Sequence, residues 1–194
     1  MLSSKVTVRN RGHLFIISAP SGAGKTTLAK AALKRHANLL YSVSYTTRKP
    51  RVTEQNGVDY HFISKQDFEK GIKKGYWAEW AEVYGNYYGT SGQFIDDGLL
   101  SGRDILLDID VQGTIQILKK YPDSITIFIL PPSMKTLKKR LEARGTDSRQ
   151  VIESRLVYAR NEMAQKDLYR HTIVNDRLSK AIEELSAILK KYRR

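Results

Sequence analysis

With 194 residues, the chain is long enough to bury a sizeable core, either as one compact unit or as a core with a small inserted subdomain. Hydrophobic residues make up 41% and charged residues 27%, which excludes a disordered chain, and the absence of cysteine excludes disulfides, thiolate metal sites and cysteine nucleophiles. Lysine and arginine outnumber aspartate and glutamate by 33 to 20, a formal charge of +13 that leaves nucleic acid, an anionic membrane face or highly charged small substrates as partners.

The N-terminal MLSSKVTVRNRGH is polar and basic, and the longest apolar runs, LFIISA and ITIFIL, are too short to span a bilayer or to serve a secretion signal. The expectation is a cytoplasmic protein with no membrane partner. Much of the lysine lies in pairs within helix-like segments (Lys73-Lys74, Lys119-Lys120, Lys138-Lys139, Lys190-Lys191), as on solvated faces. No recognition helix, nucleic-acid-binding sheet motif or zinc-finger spacing accompanies them, so nucleic acid is not expected.

In chain order, HLFIIS (13–18) reads as a short buried strand, and Lys25 to about His36 as a helix with Leu28, Ala32 and Leu33 on one side. From about Tyr41 to Thr90 the chain turns aromatic and rich in Tyr, Gly and Asn; YHFIS and EVYGNYYGT read as strands and turns around a helix at 64–74. RDILLDID (103–110) and SITIFIL (124–130) are near-continuous apolar runs, as in parallel strands covered on both faces. VQGTIQILKKY and SMKTLKKRLEAR have helical spacing, HTIVN (171–175) is one more strand, and the last helix carries Ile182, Leu185, Leu189 and Tyr192 on one stripe. The predicted fold is α/β: a doubly wound parallel sheet with helices on both faces from residues 1–40 and 91–194, and an inserted, mostly β subdomain at 41–90.

Between the first strand and first helix stands A-P-S-G-A-G-K-T, Ala19 to Thr26, the phosphate-binding loop pattern with Ala for its first Gly. Small residues let successive backbone N–H groups turn around phosphate oxygens, and the helix N-terminus adds partial positive charge. Lys25 is then expected to reach the β and γ phosphates, and the Thr26 hydroxyl to help hold Mg²⁺. Asp108 ends the run ILLD, a position from which a carboxylate meets Mg²⁺ through water or else caps the next helix. Asp110, two residues on, shares its side if the strand continues.

The stretch SVSYTTRKPRVTEQNGVDY sets Arg48 and Arg51 around a proline, with Tyr60 nine residues beyond and Tyr88 further on; two guanidinium forks and two phenols suit one phosphate monoester. Taken singly, the tyrosines equally fit sheet packing. With PSGAGKTTL, SYTTRKPR, E-x-N-G-x-D-Y, AEWAEVYGNYYGT, ILLDIDVQG, LKKRLEARGT and IVN in this order from about His13 to Lys190, the chain resembles the guanylate kinase family of nucleoside monophosphate kinases.

That resemblance implies transfer of the ATP γ-phosphoryl group to GMP with Mg²⁺. It implies that Ala19, Pro20, Ser21, Gly22, Ala23, Gly24, Lys25, Thr26 and Thr27, with Arg140, Arg144 and Asn175, hold ATP. It puts Arg48, Arg51, Tyr60 and Tyr88 on the GMP phosphate, Ser44, Glu79, Thr90 and Asp110 on guanine, and Glu54 in the same GMP set. Lys25, Arg48, Arg144 and Arg155 would neutralise charge during transfer. Guanine offers N1–H and an amine to carboxylates and O6 to a hydroxyl donor, whereas adenine has no N1–H for Glu79.

Arg140 and Arg144 are one helical turn apart and expected on one face, with Arg155 on the next helix. Such faces are commonly solvated; the resemblance makes this segment, about 141–163, a lid over ATP, with Arg140 stacked on adenine. Two departures stand out. Thr53 occupies a position where the family usually has glycine, which bears on the loop presenting Arg51 because threonine disfavours positive φ. Thr90 replaces a frequent serine and keeps the hydroxyl. Rival readings are a guanylate-kinase-like interaction module without catalysis, another monophosphate kinase, and a basic nucleic-acid binder; a homo-oligomer is left open.

Overall fold

β1 (Leu14–Ser18) is buried along its whole length, and its alternate residues serve two different cores. Strand side chains alternate between faces, so Phe15 and Ile17 point to one layer of helices while Leu14 and Ile16 point to the other. The structure, a computed structural model, describes residues 11–83, 85–143, 145 and 147–192. Along it follow α1 (Lys25–Arg35), β2 (Leu39–Tyr41), β3 (Tyr45–Thr46), β4 (His61–Phe62), α2 (Lys65–Lys73), β5 (Trp77–Val83), β6 (Asn86–Ser91) and α3 (Gly92–Leu100). Then come β7 (Asp104–Asp108), α4 (Val111–Lys120), β8 (Ile125–Leu130), α5 (Met134–Glu142), α6 (Arg149–Ala164), a short 3₁₀ turn at Lys166–Leu168, β9 (His171–Val174) and α7 (Leu178–Tyr192).

Among the described residues, β2-β7-β1-β8-β9 form one sheet in that order, every neighbouring pair parallel. Phe15, Ile17, Leu106, Ile127 and Ile129 pack on one face against Leu28 and Ala32 of α1 and Leu185 and Leu189 of α7. The other face carries Ile16, Ile105 and Leu107 against Ile95 and Leu99 of α3 and Ile117 of α4. Each such aliphatic or aromatic side chain taken from water contributes about 1.5–3 kcal/mol, so both layers contribute to holding the sheet between them. A doubly wound sheet covered on both sides follows from these runs, as expected from their near-continuous apolarity.

A second sheet, ordered β4-β3-β6-β5, uses strands from the segment between β2 and β7. β3 pairs parallel with β4 and antiparallel with β6, and β5 pairs antiparallel with β6. Phe68 of α2 packs on its aromatic residues, on Trp77 at 4.3 Å and on Tyr87 at 5.2 Å between ring centroids. β2 straddles the expected boundary at 41: Leu39 and Leu40 lie on the core side of it, and Tyr41, expected to open the insertion, also pairs with β7 of the large sheet, beside Leu106.

Candidate active site

The turn leaving β1 is closed by the Ala23 N–H on the Pro20 carbonyl at 3.0 Å, and α1 starts with the Leu28 N–H on the Gly24 carbonyl at 3.1 Å. Gly24 has φ of 97°, where a side chain is strained, and a Cβ there would meet Asn175 Nδ2 at 2.4 Å. Asn175 is buried and donates that Nδ2 to the Ala23 carbonyl at 2.8 Å, so it braces the loop from beneath. Ser64, Ser91, Asp110, Ser133 and Ser148 each cap their helix by accepting a backbone N–H on the side chain. Gly24 caps α1 with no side chain at all, which leaves the first-turn donors of α1 for an anion.

Lys25 is the first residue of that helix and its Nζ lies 2.5 Å from Asp108 Oδ1 and 3.3 Å from the Ile109 carbonyl. Burial works against its charge, but the neighbouring Asp108 outweighs it and the ammonium is held more firmly protonated than usual. Asp108 comes to this point because β7 runs beside β1 with Ile17 opposite Asp108. The strand does not continue to Asp110 as the shared-side expectation requires. The Ile109 carbonyl turns to the Ser18 hydroxyl at 2.8 Å, and Asp110 becomes the α4 cap, accepting the Gly113 N–H at 2.8 Å. Capping thus falls to Asp110, and Asp108 is left to the lysine. Thr26 and Thr27 stand exposed in the first turn of α1.

Over the loop lie α5 and α6, joined by Leu137, Leu141, Ile152 and Leu156. Arg155 Nη1 reaches the Ser21 hydroxyl at 3.3 Å and pairs with Asp147 at 3.3 Å. Arg140, expected as an adenine platform, donates Nη2 to the Asn175 carbonyl at 2.8 Å. α5 ends at Glu142, two residues short of the face expected to join Arg140 to Arg144, and Arg144 lies outside the described residues.

Across the cleft, β5 and β6 set Glu79 opposite Thr90. Glu79 is 6% exposed and accepts the Thr90 hydroxyl at 2.5 Å. Burial pushes its carboxyl up to about 7, the Thr90 hydrogen bond opposing and the Asp110 charge adding to the rise. The Thr90 hydroxyl is therefore engaged by Glu79 and not aimed outward on its own. Arg48 is gripped at both nitrogens by Glu54, each at 2.9 Å, and lies over the Tyr60 ring at 5.5 Å; the hydrogen bond to Glu54 raises its already high pKa further. Glu54 also accepts the Arg51 N–H at 2.8 Å while its own N–H donates to the Arg51 carbonyl at 3.0 Å. Thr53 fits inside this closed turn, and the Arg51 side chain remains exposed. Tyr60 and Tyr88 meet edge to face at 6.0 Å.

One cleft of about 930 Å³ joins the two sides. Ser21, Lys25, Thr26, Asp108 and Asp110 line it from the side of the parallel sheet, and Ser44, Glu54, Tyr60, Glu79 and Tyr88 from the second sheet and its loops. Thr90, Asn175, Arg48, Arg51, Arg140 and Arg155 stand outside that wall; Thr90, Arg48 and Arg155 hold residues that form it, Glu79, Glu54 and Ser21. A carboxylate that no motif marks, Glu162 on α6, is pushed up to about 7 by burial, with Lys25 opposing and Asp110 adding. Its one sequence signal is its place three residues beyond Ala159 on the buried stripe of α6. Among the described residues, no group of three or more His, Cys, Asp or Glu is placed to hold a metal, and no helix is long and apolar enough to cross a membrane.

The family model described as Guanylate kinase matches residues 11–192. A protein of Dechloromonas aromatica named guanylate kinase is 48% identical over 179 residues, covering 92% of this chain and 89% of its own. Its namesake in Neisseria meningitidis serogroup A is 50% identical over 179 residues, with 92% and 87% covered. The crystal structure of guanylate kinase from Anaplasma phagocytophilum superposes with a TM-score of 0.78 at 31% identity, covering 94% of this chain and 87% of that one.

Proposed function

The chain belongs to the guanylate kinase family and phosphorylates GMP with ATP, and from that premise we propose how its residues divide the work. The loop from Ala19 to Thr27 takes the ATP phosphates on backbone N–H groups and Lys25, and Glu79, Ser44 and Asp110 take the guanine of GMP. Arg48, Arg51, Tyr60 and Tyr88 take its phosphate. The segment 41–90 acts as the GMP subdomain, and the helices around 141–163 act as the lid. The observation that carries this reading is the shared cleft, with the Lys25–Asp108 pair on one wall and the Glu79–Thr90 pair on the other.

In the reaction, an oxygen of the GMP phosphate attacks the γ-phosphorus in line and the bond to the β-bridging oxygen breaks, giving GDP and ADP. Such a transfer asks for positioning and charge neutralisation, with no side-chain nucleophile. Lys25 supplies a firmly held positive charge, and Arg155, already at Ser21, supplies another from the lid. Arg48 exchanges its hold on Glu54, wholly or in part, for the acceptor phosphate. Guanylate kinases generally use a divalent metal; Mg²⁺ suits the donor set here, a threonine hydroxyl and a carboxylate beside the loop, and Thr26 with Asp108 through water would hold it. Held there, the ion would supply positive charge against the phosphate oxygens. Closure of lid and subdomain keeps water, a competing acceptor, from the γ-phosphorus. ATP and GMP are the partners on this reading, in the cytoplasm, a compartment that the cysteine-free composition suits.

Turnover of ATP with GMP, dGMP, AMP and UMP as acceptors tests the assignment of the base. GMP is expected to exceed AMP in kcat/KM by about ten- to hundredfold or more, from one or more lost hydrogen bonds to a buried charged group. Equal use of AMP would overturn it, and no turnover with any acceptor would favour an interaction module.

A further inference from the structure

Glu79 lies on an edge strand whose ladder is interrupted next to it. β5 pairs with β6 on one side only, and between Trp77 and Glu79 the register slips, Trp77 facing Ser91 and Glu79 facing Thr90. Such a bulge loosens and bends a strand, so the pairing with β6 alone does not fix where the Glu79 carboxylate stands. The other edge of β5 is held by a helix. Gln116 of α4 accepts the Trp80 N–H on Oε1 at 3.1 Å and donates Nε2 to the Trp80 carbonyl at 2.9 Å. Lys120, one turn on, donates Nζ to the Trp77 carbonyl at 2.8 Å. The two contacts grip the strand on either side of Glu79, the amide filling the place of a missing neighbour strand.

The same helix approaches Glu79 more closely at its start. Gly113 lies three residues before Gln116, and a Cβ on it would stand 2.9 Å from Glu79 Oε2. Asp110 caps this helix within the cleft. α4 therefore contributes its cap to the cleft, passes beside the Glu79 carboxylate and clamps the backbone that carries it.

The geometry points to Gln116 as a positioning residue for acceptor recognition: by pairing with the Trp80 backbone it fixes the depth of Glu79 against the guanine edge. This rests on Glu79 being the residue that accepts from guanine. Gln116 touches neither nucleotide, and its hydrogen bonds lie near solvent, so its removal shifts recognition by several-fold and not by orders of magnitude.

Steady-state kinetics of Gln116→Leu and Gln116→Glu, alone and combined with Glu79→Leu, test it. Gln116→Leu keeps the bulk and removes both hydrogen bonds; KM for GMP is expected to rise about three- to tenfold, with KM for ATP and kcat within about twofold. Gln116→Glu keeps the acceptor for the Trp80 N–H and should fall between parent and Gln116→Leu; should the leucine variant not fold, this variant decides by the same split. In the Glu79→Leu background the Gln116 change should add nothing, because the two act through one contact. An unchanged KM for GMP in folded protein, equal rises for ATP and GMP, or a full additional loss in the Glu79→Leu background would each overturn the positioning role. Failure of the base reading is separate: it shows as an unaltered kcat/KM for GMP in Glu79→Leu alone.

Discussion

The two ends of the cleft are built in different ways. The donor end is one contiguous loop, shaped by backbone: Gly24 in the left-handed region, the Ala23–Pro20 turn, and Asn175 under the Ala23 carbonyl. Its shape does not wait for a ligand. The acceptor end is assembled from side chains that already satisfy one another, Arg48 with Glu54 and Glu79 with Thr90, drawn from strands that meet only in the second sheet. A nucleotide arriving at the donor end meets open N–H groups; one arriving at the acceptor end must exchange partners with groups already paired. On the proposed division of work, affinity for phosphate is set mainly by the loop, and choice of base by how firmly the pairs across the cleft are held.

Breaking the donor end should have the largest effect. Lys25→Ala removes the charge proposed to act on the transferring phosphoryl group, and kcat is expected to fall by about 10²–10³-fold or more. The helix keeps its start, so circular dichroism should stay near that of the parent, while the thermal midpoint falls somewhat because Asp108 loses its partner; loss of folding in place of turnover would make the lysine structural. At the acceptor end the change is smaller and more selective. Glu79→Leu should lower kcat/KM for GMP by about ten- to hundredfold with KM for ATP nearly unaltered, and equal kcat/KM for GMP in mutant and parent would refute its role.

A still smaller effect separates the ends by pH. Burial pushes the Glu79 carboxyl up to about 7, and on the proposed assignment its ionised form accepts from guanine, so KM for GMP should rise, by up to about tenfold per unit, as pH falls below about 7. Glu79→Gln removes that step, and the difference between the two profiles isolates it from titration of the nucleotides themselves. The same group carries a stability signature. Between about 4.5 and about 7 the folded protein holds a proton that the unfolded chain has released, so this carboxyl's contribution to stability falls as pH rises across that window. Thermal midpoints of parent and Glu79→Gln should converge toward the acid side, where both groups are neutral.

The same contrast governs what the sequence alone reveals. The loop is legible because its parts are adjacent: strand, small residues, lysine and helix follow one another within Leu14 to Arg35. Ile125–Leu130 and the stripe of α7 are legible for the same local reason. β2 is not, because three residues without a distinctive pattern become a strand only through pairing with β7, far along the chain. Whether Asp108 or Asp110 caps α4 depends on where β7 stops, and the carbonyl of Ile109 decides that by turning to Ser18. The grip of Glu54 on Arg48 hides within a string of loop residues, and Gln116 looks like any solvent-facing amide until its helix is laid against β5. Glu162 has no motif and becomes visible only when α6 is folded toward Lys25 and Asp110.

The most direct measurement is a crystal structure of the protein with an adenosine and a guanosine joined through a polyphosphate bridge. The account predicts one continuous ligand, its phosphates on the loop from Gly22 to Thr26 and Lys25, and its guanine edge against the Glu79 carboxylate with Ser44 and Asp110 beside it. Guanine seated away from Glu79, or phosphates bound anywhere but that loop, would contradict it.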